Sequence, residues 1–159
     1  GAGSYSAENH GGLEALAKTV SPDFLENAQR ALALLQKEAE LEEIVRLVGK
    51  DTLSAEDRLV LEAARSIRED FLHQNAFNEI DTFTSIRKQT GMLETVMKFY
   101  DLAREALSRK AGIAEIEGAQ VRERIARLKY VPEEEFEPVH RAVQRELESF
   151  FNELAGKYV

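Results

Sequence analysis

The apolar positions of this chain recur at helical intervals, in stretches separated by short polar breaks. Leu25, Ala28, Leu32, Leu35, Ala39, Val45 and Val48 keep this spacing as far as Gly49, a natural stop. The stretch opens on Ser21-Pro22-Asp23, which reads as an N-cap, a proline in the first helical position and an acid in the first turn. A second helix is predicted from about Ala55 to His73, with Val60, Ala64, Ile67 and Phe71 on one face. After a polar break over Asn75–Asp81, Thr84 or Thr82 is predicted to cap a long helix to about Arg109. Its inward face carries Ile86, Leu93, Val96, Met97, Tyr100, Ala103 and Leu107, with Met92 on the same apolar side. Gly112 breaks the pattern, and a shorter helix follows over about Ala119–Lys129. Pro132 opens a last helix that buries Val139, Val143, Leu147, Phe150 and Leu154. A short helix over Leu13–Lys18 completes the series. No stretch alternates as a strand would, and no internal repeat is visible. The predicted class is all-α: an antiparallel bundle of about four long helices plus short ones.

Composition narrows the chemistry more than the fold. The 159 residues suffice for one domain with a substantial core, and a charged fraction of 31% is ordinary for a folded, soluble chain. A net charge of −8 disfavours nucleic acid, whose phosphates demand a surplus of Lys and Arg. The absence of cysteine removes disulfides, thiolate nucleophiles and Cys-based zinc sites. No apolar run approaches the roughly 20 residues that span a bilayer. His10, His73 and His140 are scattered with no metal-binding spacing, so no metal site and no catalytic constellation is expected. There is no G-x-x-x-x-G-K-[ST] to cradle phosphates. Residues 1–12, GAGSYSAENHGG, are polar and Gly-rich and are expected to be mobile.

Two turns flank the second helix. The first is Lys50-Asp51-Thr52-Leu53-Ser54-Ala55-Glu56-Asp57. Ser54 as N-cap with Asp57 three residues on is a variant of the capping box, and acids in a first turn suit the helix dipole, so capping alone accounts for the pattern. The second turn, Gln74-Asn75-Ala76-Phe77, reads as a polar turn whose aromatic returns to the core. Arg65 and Arg68 lie near Glu62 and Glu69 and read as surface ion pairs, and Glu133-Glu134-Glu135 reads as a helix start.

Taken together over Leu47–Phe77, the two turns resemble the C-terminal helical domain of the catalytic A subunit of archaeal and vacuolar-type rotary ATPases. The acidic turn is similar to the D-E-L-S-E-E-D of the related F-type beta subunit, with Thr52 and Ala55 replacing two of its acids. The similarity runs from about Ser21 to Leu154 and includes REDFLHQNAFNEIDTF, Met92–Tyr100 and the turn Lys129-Tyr130-Val131-Pro132-Glu133. It implies that residues 1–20 are a flexible remnant of a linker between domains and residues 21–159 the helical domain. It implies that Lys50–Asp57 face the central stalk, through shape more than charge. Gln74, Asn75, Ala76 and Phe77 would line the adenine edge of a nucleotide site in the intact complex, with Phe77 against the base. ATP or ADP with Mg would belong to the preceding domain of the parent protein, and this stretch would need no cofactor of its own. Implied partners are that nucleotide domain, the B subunits, the central-stalk rotor and, indirectly, the membrane sector. The implied place is the cytoplasmic face of a membrane, within the soluble sector of the motor. The other reading of the same helices is a self-contained protein–protein interaction module without nucleotide chemistry.

One aromatic contact limits what these residues do in isolation. Stacking on a base is worth about 1–3 kcal/mol, whereas a millimolar complex needs about 4 kcal/mol. Calorimetric titration of ATP into the 159-residue chain is therefore expected to give no resolvable binding, and a stoichiometric micromolar isotherm would contradict the assignment.

Overall fold

A computed structural model describes residues 22–72 and 85–157 of the chain. Helix α1 covers Pro22–Val48 and is followed by a 3₁₀ turn at Lys50–Thr52. Helix α2 covers Ala55–Ser66 and continues without interruption as a π-helical turn over Ile67–Leu72. Helix α3 covers Ile86–Ser108, α4 Ile113–Glu117 and α5 Val121–Arg127, which ends in a 3₁₀ turn at Leu128–Tyr130. Helix α6 covers Glu133–Gly156. Among the described residues every regular element is helical, as the periodicity predicts. The expected short helix over Leu13–Lys18, the Ser21 cap and the Gln74–Phe77 turn lie outside the described residues.

Helices α2 and α3 form the centre. Leu59, Ala63 and Ala64 of α2 and Leu93, Val96, Met97, Phe99 and Ala103 of α3 are almost wholly buried. The small Ala63 and Ala64 let neighbouring helices approach α2 closely, while Phe99 fills the widest gap and meets Phe151 of α6 at 6.0 Å between ring centroids. The inward faces expected for α2 and α3 are the observed ones, with Ile86, Phe71 and Tyr100 only half-buried. On α6, Phe136, Val143, Leu147, Phe151 and Leu154 are buried, and Phe151 takes the deep position expected of Phe150. Ser85, rather than Thr82 or Thr84, caps α3, its Oγ accepting from the Lys88 amide at 3.1 Å.

Helix directions can be read from the cross-links. Glu38 meets Arg68 and Lys50 meets Glu62, so α1 and α2 run antiparallel. Ser85 meets Glu133, Thr95 meets Gln144 and Lys98 meets Glu148, so α3 and α6 lie side by side in the same direction. The short helices α4 and α5 make this possible, because they carry the chain back to the start of α3 before α6 begins.

Helix α1 departs from its expected face. Ala31, Leu34, Glu38 and Leu41 point inward, whereas Leu25, Leu32 and Val48 are exposed by 49%, 61% and 58%. The reason is that apolar side chains occur all round this helix, so spacing alone does not select a face. The choice is made from outside: Arg68 donates two hydrogen bonds to the Glu38 carboxylate, at 2.6 and 3.1 Å, and Arg30 pairs with Asp101 of α3. Two polar links, both to residues distant in sequence, thus set the rotation of a helix that hydrophobicity leaves undecided.

This rotation separates two leucines of the same helix. Leu41→Ala is expected to cost about 2–5 kcal/mol, as deletions of fully buried leucine do. Leu32→Ala, on the outer face, is expected to stay within about 0.5 kcal/mol. Urea unfolding of the two variants checks the assignment, and equal losses would reject it.

Candidate functional site

Helix α1 ends at Gly49, whose amide still donates to the Val45 carbonyl at 2.8 Å. Gly49 has φ 91° and ψ 158°, a backbone region almost closed to other residues. Space is not the constraint, since a β-carbon there would touch nothing within 4 Å. The chain then makes one 3₁₀ turn, in which Thr52 Oγ1 donates to the Gly49 carbonyl at 2.8 Å and the Leu53 amide to the Lys50 carbonyl at 3.1 Å. Ser54 caps α2, its Oγ accepting from the Asp57 amide at 3.1 Å. The capping anticipated from the sequence is therefore present, and the turn is held by its own hydrogen bonds at every step.

Asp51, Thr52, Ser54 and Glu56 are exposed at the tip, and Leu53, Ala55 and Asp57 are half-buried. Lys50 is exposed too, with 44% of its side chain accessible. Its ammonium turns back toward the domain, 3.5 Å from Glu62 and 3.6 Å from Glu117. Beside the acids stand two side chains that sequence reasoning does not place on the outside, Leu47 at 81% exposure and Val48 at 58%. The outward surface of the tip is consequently mixed, two apolar side chains next to two carboxylates. The signal is present in the sequence as an apolar pair directly before the Gly stop.

Behind the tip lies a buried ionic network. Glu62 of α2 accepts from Arg122 of α5 at 2.9 Å and from Arg65 at 2.7 Å. The side chains of Glu62 and Arg122 are only 9% and 11% exposed. Arg122 also donates to the Glu117 carbonyl at 3.1 Å and lies over the Phe99 ring at 5.2 Å. Glu117 in turn accepts from Arg58 at 2.7 Å. Burial by itself would raise the Glu62 carboxyl. The Arg122 hydrogen bond and the charges of Arg122, Arg65 and Lys50 outweigh it and hold the group below its ordinary value. Spacing along the sequence makes Glu62 and Arg65 surface groups, but the structure buries Glu62 because Arg122, sixty residues away, reaches it.

At the opposite end of α2 the winding widens into the π turn of Ile67–Leu72. Such turns are rare and concentrate at functional sites. Here it aims the Glu69 carbonyl at Lys129, which donates to it at 2.8 Å. Asp70 is half-buried, and burial pushes its carboxyl up despite the Lys129 charge and a Ser66 hydrogen bond. An open cleft of about 500 Å³ runs along this side of α2, lined by Arg65, Ser66, Glu69, Asp70, Gly118 and Arg122. The described chain stops at Leu72 and resumes at Ser85, so Gln74, Asn75, Ala76 and Phe77 lie outside the described residues. Both flanks converge on one place. The Ser85 amide and hydroxyl donate to Glu133, each at 2.7 Å, and Lys88 donates to the carbonyls of Lys129 and Val131 at 3.0 and 2.7 Å. Among the described residues no group of His, Asp and Glu side chains converges as metal ligands would, and no helix is long and apolar enough to cross a membrane.

Known proteins share both ends of this helix. Residues 13–117 match the family model of the C-terminal domain of V and A type ATP synthase, a span that includes the tip and the π turn. The chain is 52% identical over 134 residues to the V-type ATP synthase alpha chain of Thermoanaerobacter sp. (strain X514), covering 82% of this chain and 23% of that protein. It is 46% identical over 144 residues to the V-type ATP synthase alpha chain of Acetivibrio thermocellus, covering 91% and 24%. It is 46% identical over 140 residues to the A subunit of the A-type ATP synthase of Staphylothermus marinus, covering 86% and 24%. The chain thus spans about a quarter of the length of these relatives.

Removing Glu62 leaves the Arg122 charge buried without its carboxylate. Glu62→Ala is expected to cost about 3–5 kcal/mol at neutral pH. Because the carboxyl is depressed in the folded state, its contribution is present above the unfolded value and fades as pH falls through the folded one. The gap between wild type and Glu62→Ala should therefore shrink below about pH 4.3, the ordinary glutamate value. Chemical denaturation of both proteins from pH 7 to pH 3 checks this, and a gap independent of pH would show the network to be energetically idle.

Proposed function

The chain belongs to the family of C-terminal domains of V and A type ATP synthases, and we propose that it is the force-transmitting helical domain of a catalytic A subunit. In the intact protein, ATP or ADP with Mg is bound by the preceding nucleotide domain. Opening and closing of that site moves this domain as a stiff body, and its tip pushes on the central stalk, which couples nucleotide chemistry to rotation and to ion movement in the membrane sector. Neighbouring B subunits pack beside it. The motor stands on the cytoplasmic face of its membrane. The 159-residue chain carries no phosphate-binding loop and supplies the linkage, while hydrolysis or synthesis belongs to the parent.

The observation that carries this reading is that α2 is pinned at both ends by groups from other elements. At the tip end, Arg58 in the first turn of α2 donates to Glu117 of α4 at 2.7 Å; at the far end, Lys129 holds the Glu69 carbonyl of the π turn. A helix fixed at both ends to the same body transmits displacement without bending. A straight α-helix over the twelve residues of α2 is about 18 Å long. The tip, Lys50–Asp57, is the stalk-facing surface, with Leu47 and Val48 joining it. Its exposed apolar pair favours contact by shape, with Asp51 and Glu56 adding charge. Gln74, Asn75, Ala76 and Phe77, just past the π turn, form the adenine edge.

The reading is tested by single-cysteine crosslinking in the assembled complex, stepping from Leu47 through Asp57. Capture of the central stalk from Leu47, Val48, Asp51 or Glu56, but not from Leu41, is expected. A scan in which no tip position captures the stalk would remove the proposal.

A further inference from the structure

Of the three histidines, only His140 lies within the described residues, half-buried where α6 packs on Gly91 of α3. Its ring stacks on Phe136, with 5.4 Å between centroids and 9° between planes. Helix α3 makes room for the pair, since a β-carbon on Gly91 would sit 2.8 Å from the Phe136 ring and 3.4 Å from His140 Cε1. The imidazole meets Gln144, whose Nε2 stands 2.9 Å from His140 Nε2 and donates to Thr95 Oγ1 at 3.1 Å. Thr95 in turn donates its hydroxyl to the Gly91 carbonyl at 2.7 Å. Beside the ring an open cleft of about 300 Å³, lined by Arg87, Thr90, Glu94, Glu137 and His140 itself, admits solvent.

These bonds fix the direction in which protons are given. A threonine hydroxyl has one proton, and that of Thr95 goes to Gly91, so its oxygen can only accept from Gln144. The end of Gln144 facing both Thr95 and His140 is therefore the amide NH2. The imidazole nitrogen it meets must accept, which makes the ring neutral. One defect remains: Gln144 Oε1 is buried with no hydrogen-bond donor among the described residues. Burial also holds the imidazole below its ordinary value. Lys98 of α3 acts in the same sense, and Glu94 of α3, the Gly91 backbone and Glu137 of α6 oppose it. Arg87 of α3 is the remaining charged group lining the cleft, and Glu137 is shared between it and Arg141.

We propose that His140, Gln144 and Thr95 form a proton-linked relay across the α3–α6 seam, in which protonation of His140 turns the Gln144 amide over. The proton comes from solvent and adds to the Nε2 lone pair that the Gln144 NH2 now faces. An imidazolium has no lone pair for that NH2, and the two groups would meet donor to donor. Rotation about the last side-chain bond of Gln144 exchanges the ends of the amide. Oε1, the atom without a donor in the neutral state, then accepts from the imidazolium, and the Thr95 hydroxyl is free to donate to it as well. The seam thus has two polarities, one for each charge state of His140, built from the same side chains. The folded chain prefers the neutral one, so the unfolded chain takes up the proton first. Stability at this seam therefore declines as pH falls below about 6.5, the ordinary histidine value, and levels off below the folded one.

The test is nuclear magnetic resonance of the isotope-labelled 159-residue chain, titrated from about pH 8 to about pH 5.5, above the range in which ordinary carboxylates change charge. The imidazole signals of His140 report its charge, and the side-chain amide signals of Gln144 report the turn-over. Both are expected to move together, with one shared midpoint below about 6.5. In His140→Phe, which keeps a ring on Phe136, the Gln144 amide signals should no longer titrate. In Gln144→Glu, which offers an acceptor at either end, the proton affinity of His140 should rise about tenfold, or one pH unit. Should His140→Phe fail to fold, the wild-type titration and Gln144→Glu still decide. Gln144 signals that stay still while His140 titrates overturn the relay. Signals that titrate equally in His140→Phe overturn it too, since another group would then be responsible. A His140 midpoint at or above about 6.5 overturns the preference for the neutral polarity. Unchanged His140 affinity in Gln144→Glu overturns the coupling between the two side chains.

Discussion

The pairing of Arg122 with Glu62 is the constraint on which the arrangement depends. One guanidinium binds a carboxylate of α2, the carbonyl end of α4 and the face of Phe99 in α3. Neither charge is tolerable alone in a site about one-tenth exposed, and each persists only because the other is held within 3 Å. The pair therefore fixes where α5 sits against α2 and α3. From α5 the chain proceeds through the 3₁₀ turn into α6, so the parallel docking of α6 on α3 follows from the same placement. Oil-like packing would accept several rotations of these helices; a planar, directional donor accepts one.

The same logic repeats at larger distance. Charged side chains of the long helices are met by polar groups on other elements: Glu38 by Arg68, Glu62 by Lys50 and Arg122, and Lys88 by the Lys129 and Val131 carbonyls. These links cluster along α2 and at its two ends. The interior of α3 shows the contrast, for there Thr95 returns its hydroxyl to the Gly91 carbonyl at 2.7 Å and accepts from Gln144 at 3.1 Å, a small neutral seam within an apolar interface. Gly91 itself is required by proximity, as a β-carbon would sit 2.8 Å from the Phe136 ring.

What the sequence made legible divides along the same line. The faces of α2 and α3, the Ser54 cap, the Gly49 stop and the Pro132 start all rest on periodicity or on neighbours within four residues, and all are found. The rotation of α1 was not legible, because leucines surround it and the deciding partner of Glu38 lies thirty residues on. The burial of Glu62 was hidden for the same reason. The π turn gave no warning, since Ile67–Leu72 contains neither glycine nor proline. Lys88 did leave a trace: a capped helix start with two cations and no acid is a local contradiction, and such a contradiction points to a partner elsewhere.

A transmitting element has to be stiff along its length and specific at its ends, and these demands conflict in a helix stabilised only by apolar contact. Apolar burial is non-directional, so a helix held by it alone slides or rotates with small loss until its ridges re-engage. Directional links at both ends remove that freedom. At the tip, the Lys50 ammonium, though still 44% exposed, pairs with Glu62 and Glu117, while Asp51 and Glu56 are exposed on the same turn that follows Leu47 and Val48. At the other end the π turn does the complementary work, redirecting one carbonyl to Lys129 while α2 continues unbroken into it. Stiffness and end-specificity are thus met by the same few ions, which is why so small a domain keeps charged groups in its core.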